Sequence, residues 1–79
     1  MGKYKILIVE DDSDLREGFS FSFSSDGYDV LETETKKEGL QEIKKGGCDL
    51  VLLDCNLPEG TGFELAKRFG VTAIFRLLC

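Results

Sequence analysis

The spacing of apolar and polar positions changes several times along the 79-residue chain, and each change marks an element. "KYKILIVEDD", residues 3–12, holds an unbroken apolar run from Ile6 to Val9, the pattern of a strand buried on both faces of a parallel sheet. It ends in acids. From Ser13 the period lengthens to that of a helix, with Leu15, Phe19 and Phe23 on one stripe and Asp14 and Glu17 spaced for a capping box. "FSFSF" at 19–23 alternates with period two, so a strand is the rival, but the start at Leu15 and the stop at Asp26 and Gly27 favour the helix. On that helix Phe21 points away from the core. "YDVLET" reads as a short strand, and Thr35 with Glu38 offers a second capping box before a helix that carries Leu40 and Ile43 inward and ends at Gly46 and Gly47. In "DLVLLDCNLPEGTG", residues 49–62, Leu50 to Leu53 form a third strand and Asn56, Pro58, Gly60 and Gly62 a loop. A short helix from about Gly62 to Phe69 follows, and "VTAIFRLL" is the last strand.

Strands alternating with helices through short connections predict right-handed βαβ units in an open α/β sheet, whose ligands sit at the carboxyl ends of the strands. Residues 1–79 make a single domain with no linker or internal repeat. A chain this short buries about 60% of its unfolded surface, so its stability is expected to be marginal. With 42% hydrophobic and 32% charged residues, disorder has no support. The apolar runs are strand-sized and the N-terminus lacks a signal-peptide core, which predicts a soluble cytoplasmic protein with no membrane partner.

Charge and residue chemistry narrow the functions. A net charge of −5 with scattered Lys and Arg argues against nucleic-acid binding by this chain. Cys48, Cys55 and Cys79 have no CxxC spacing and no histidine accompanies them, so they read as small buried thiols rather than zinc ligands. The absence of histidine also excludes Ser-His and Cys-His nucleophile pairs. Chemistry is left to carboxylates, backbone and metal.

In an open sheet the first and third strands are neighbours, which brings Glu10, Asp11 and Asp12 beside Asp54. Two carboxylates about 4 Å apart repel by about 4 kcal/mol at an effective dielectric of about 20, and no Lys or Arg stands nearby in sequence to offset it. A bound cation would. Oxygen ligands few in number, with room for water and substrate oxygens, describe Mg²⁺ better than a closed calcium cage. Asp54 beside such an ion is placed to act as nucleophile toward a phosphoryl group. Taken singly, Asp11, Asp12 and Asp14 need only serve a helix N-terminus. That does not account for Asp54, which closes an apolar strand and precedes a loop.

"ILIVEDD", the "GY" at 27–28 and "DLVLLDCNLPEGTG" together resemble the receiver domain of bacterial two-component response regulators, over about residues 3–69. The resemblance implies a partial flavodoxin-like doubly wound parallel sheet, order 2-1-3-4, lacking the last strand and helices of a full receiver. It implies Asp54 as phosphoacceptor and a Mg²⁺ site of Glu10 (through water), Asp11, Asp54 and the backbone carbonyl of Asn56. A sensor histidine kinase would be the donor, and a DNA-binding output domain for transcription regulation would belong to a longer form. The chain departs from the family toward its end: the hydroxyl that closes the fourth strand falls near Leu77, and the later lysine has no counterpart.

Other classes fit less well. "LLDCN" is similar to the opening motif of haloacid-dehalogenase phosphatases, but Asn56 stands where their second aspartate is needed, so an enzyme is not expected. A calcium loop is incompatible with Pro58 and Leu65 at ligand positions. The alternative that stays open is a truncated or degenerate receiver acting only as an interaction module. Its last strand would be an apolar sheet edge, which with outward Phe21 predicts a homodimer through that C-terminal edge.

Overall fold

The computed structural model describes residues 4–53, 70–71 and, as backbone, 73–76. Six elements follow in order: β1 (Lys5–Val9), α1 (Ser13–Ser25), β2 (Asp29–Thr33), α2 (Lys36–Lys45), β3 (Leu50–Leu53) and β4 (Ala73–Arg76). The strands form one parallel sheet in the order β2-β1-β3-β4, as the resemblance implies. The short helix expected near 62–69 lies outside the described residues.

β1 is central because it has the apolar content to be. Successive residues of a strand face opposite sides, and Ile6, Leu7, Ile8 and Val9 are all buried. Leu7 and Val9 join Ile43, Cys48, Val51, Leu53 and Val71 on one face, with Leu31 and Leu40 packed against them. Ile6, Ile8 and Leu52 occupy the other, beneath Phe19 and Phe23.

The helix ends follow local chemistry. Thr35 and Glu38 make both halves of the expected capping box on α2, and Gly46 closes that helix at a φ of 83°, where a side chain would be strained. α1 ends at Asp26 and Gly27 as expected. Its start differs. Asp12, not Asp14, is the N-cap, because its extended backbone lets its carboxylate accept from the amides of Asp14 and Leu15. Leu15 also departs from the expected inward stripe and is 51% exposed. Among the described residues the buried apolar floor of this face consists of Ile6, Ile8 and Leu52, against which Phe19 and Phe23 pack and Leu15 does not. Phe21 points outward, 76% exposed, as its position on the helix predicts.

Candidate functional site

The carboxyl end of β1 runs straight into the acids. Val9 is paired with Leu53 across the β1–β3 ladder, so the peptide leading to Glu10 and the peptide leading to Asp54 leave adjacent strand ends. Asp54 and Asn56 themselves lie outside the described residues. Of the predicted set, Glu10 and Asp11 are therefore the described members, and among the described residues no cluster of three or more metal-capable side chains is gathered.

Glu10 is 2% exposed, a rare environment for a carboxylate. Its backbone is held on both sides. The Glu10 amide donates to the Thr33 carbonyl at 3.0 Å, extending the β1–β2 ladder by one rung, and the Glu10 carbonyl accepts from Arg16 Nη1 at 2.9 Å. Its Oε2 accepts the Asp12 amide at 3.1 Å. Thr33, also buried, returns its hydroxyl to the Ile8 carbonyl at 2.9 Å. Asp11 is exposed. Asp12 is committed to capping α1, so the three consecutive acids divide their work: a buried one within the fold, an open one and a helix cap.

The donor set described here consists of carboxylate oxygens, with neither imidazole nor thiolate among Glu10, Asp11 and Asp12. That chemistry fits a hard divalent cation such as Mg²⁺. The sequence expectation that no basic residue stands near these acids is corrected by Arg16, whose guanidinium reaches the Glu10 backbone carbonyl and pairs with Glu32 and Glu34 rather than with the carboxylates of Glu10 or Asp11. It lies six residues beyond Glu10, and the first turn of α1 carries its guanidinium back over the β1 end. Arg16 also approaches Glu32 Oε1 at 3.5 Å and Glu34 Oε1 at 3.7 Å. A readable signal existed: a cation near a helix N-terminus opposes the macrodipole and calls for partners elsewhere.

Of the three cysteines, Cys48 is described, buried and free, in keeping with a small core thiol. Among the described residues no helix is long and apolar enough to cross a membrane.

A parallel sheet of order 2-1-3-4 with acids at the carboxyl end of a central strand is an α/β architecture, and those acids are the candidate site. Residues 6–73 match the family described as the response regulator receiver domain, and the chain belongs to that family. It is 46% identical over 64 residues to the transcriptional regulatory protein CiaR of Streptococcus pneumoniae, covering 81% of this chain and 28% of that protein. It is 29% identical over 70 residues to the cell cycle response regulator CtrA of Brucella ovis, covering 89% and 30%. The chain thus spans less than a third of the length of these relatives. Among solved structures, the Vibrio cholerae chemotaxis protein CheY4 superposes with a TM-score of 0.76 at 28% identity, over 92% of this chain and 66% of that one. The Thermotoga maritima response regulator TrrA, solved with Mg²⁺ and BeF, matches with a TM-score of 0.71 over 95% and 87%; at 21% identity this likeness concerns the fold alone.

Proposed function

We propose that the chain is a phosphorelay receiver that takes a phosphoryl group onto Asp54 from a phosphohistidine of a sensor histidine kinase. The observation that carries this is the pairing of Val9 with Leu53, which starts the acidic stretch and the Asp54 stretch from neighbouring strand ends. Glu10, Asp11, Asp54 and the backbone carbonyl of Asn56 would hold Mg²⁺. When bound, the ion neutralises charge on the transferring phosphoryl oxygens. An Asp54 carboxylate oxygen attacks phosphorus, the phosphorus–nitrogen bond to the donor breaks, and an acyl phosphate remains on the chain. Glu10, fixed by three hydrogen bonds, keeps the acidic loop in one conformation, while exposed Asp11 stays open to ligand. Cytoplasmic location accords with this role, as does transcription regulation in a longer form carrying a DNA-binding output domain.

The test is intact-mass analysis after incubation with a small acyl or amido phosphate. One phosphoryl adduct is expected with Mg²⁺ and none after chelation. An Asp54→Asn variant labelled to the same extent would overturn the proposal.

A second reading, an interaction module that forms a homodimer without phosphate switching, is favoured by a specific surface. A cleft of about 580 Å³ opens on the α1 face, lined by Tyr4, Ile6, Phe23, Tyr28, Leu50 and Leu52 with Asp49 at its edge. On the same helix Phe21 is exposed, and β4 is the last strand in the order of the described sheet. Light scattering of wild type, Phe21→Lys and Phe75→Lys separates the helix face from the strand edge. A monomer at every concentration would remove this reading.

A further inference from the structure

We infer that Arg16 is a positioning residue for the acidic loop, setting the peptide that leads into Asp11; this rests on the cation reading of the site given above. Arg16 lies near the N-terminus of α1, where the helix dipole disfavours a cation. Its side chain is nevertheless only 12% exposed, and each of its three guanidinium nitrogens has a partner. Nη1 donates to the Glu10 carbonyl at 2.9 Å, Nε faces Glu32 at 3.5 Å and Nη2 faces Glu34 at 3.7 Å. One planar group thereby joins the end of β1, the end of β2 and the residue beyond β2. Such a rigid fork is suited to arginine and not to lysine.

The contact to Glu10 is the consequential one. The Glu10 carbonyl and the Asp11 amide belong to a single planar peptide unit, so holding that carbonyl fixes the plane from which Asp11 departs. The other side of Glu10 is held by its amide on Thr33 and its carboxylate on the Asp12 amide. Loss of Arg16 would leave the Asp11 peptide free to rotate while the strand ladder below stays intact. Glu32 and Glu34 are partly to largely exposed, and exposed ion pairs add little to stability. Stability alone is therefore a weak account of this arrangement.

Charge and positioning predict opposite signs, which makes the inference testable. Replacing Arg16 by alanine removes a positive charge and leaves Glu32 and Glu34 uncompensated, so electrostatics alone would tighten binding of a cation at the neighbouring loop. A positioning role predicts weaker binding. The experiment is calorimetric titration of the 79-residue chain with Mg²⁺, well below the melting midpoint, for wild type, Arg16→Ala, Arg16→Lys and Asp11→Asn. Outer residues that orient metal ligands are worth about tenfold or more in affinity, so about a tenfold loss is expected for Arg16→Ala. Arg16→Lys, which keeps the charge and lacks the fork, should also bind more weakly than wild type. Equal or tighter Mg²⁺ binding by Arg16→Ala overturns the inference. If that variant does not fold, unchanged affinity in Arg16→Lys overturns it. Wild type that binds no more tightly than Asp11→Asn refutes the cation reading itself, and the inference falls with it. A metal-free readout completes the test: hydrogen exchange at the Asp12 amide should quicken in the Arg16 variants, and unchanged protection counts against the role.

Discussion

The two faces of the sheet are built differently. On the α2 face, Leu7, Val9, Ile43, Cys48, Val51, Leu53 and Val71 form one buried cluster, and α2 contributes Ile43 at 2% exposure. On the α1 face, Ile6, Ile8 and Leu52 are buried under Phe19 and Phe23, which are themselves only partly covered, and α1 has no fully buried residue. Most of the apolar burial among the described residues is thus on one face, while the acidic loop is continuous with the helix on the other. The start of α1 is held by polar contacts: the Asp12 cap, the Glu10 carboxylate on the Asp12 amide, and Arg16. The same bonds that shape the candidate site anchor the less well packed helix, so local disturbance there should alter the site before it unfolds the domain.

This contrast breaks most readily at Ile43. Ile43→Ala should destabilise by about 2–4 kcal/mol, since it empties a buried position in the larger cluster. Phe23→Ala should cost less despite the larger side chain, about 1–2 kcal/mol, because that ring is only partly removed from water. Urea melts of both compare them, and a larger loss for Phe23 would reverse the ranking of the faces. Next, Gly18 lies inside α1, where an added Cβ would meet no atom within 4 Å. Gly18→Ala should stabilise by about 0.5–1 kcal/mol through helix propensity alone, and destabilisation would mean that this surface is covered by something a methyl group disturbs.

The smallest effect concerns pH on the α2 face. Burial pushes the Cys48 thiol above its ordinary value of 9.0. The folded chain then keeps a proton that the unfolded chain releases, so this contribution to stability is complete below that value and declines as pH rises past it. Cys48→Ala should flatten the alkaline slope of a stability profile, and an unchanged slope would assign it to other groups.

Much of this arrangement was legible in the pattern of residues. The run Ile6 to Val9 and the run Leu50 to Leu53 announced adjacent buried strands because a strand apolar at every position needs cover on both faces. Thr35 with Glu38 and the Gly46–Gly47 pair marked α2 through chemistry confined to neighbouring residues. Less legible were features set by tertiary position. Leu15 has the spacing of a core residue but, among the described residues, does not pack on the buried floor of Ile6, Ile8 and Leu52 that Phe19 and Phe23 meet. Asp14 and Glu17 have the spacing of a capping box, yet Asp12 reaches the free amides first. Arg16 was missed because its partners Glu32 and Glu34 belong to a strand and loop that only the β1–β2 pairing brings close. Within the candidate site, Glu10 and Asp11 are at the expected strand end, while Asp54 and Asn56 lie outside the described residues.

The central claim is that the loop after β1 and the residues after β3 form one cation site, and amide chemical shifts of the ¹⁵N-labelled chain titrated with Mg²⁺ test it most directly. The account predicts saturable shifts at Glu10, Asp11 and Asp12 together with Asp54 and Asn56, with a common dissociation constant and no comparable change at Ile43 or Cys48. Shifts confined to one of the two loops, or spread evenly over surface acids such as Glu34, Glu38 and Glu42, would contradict it.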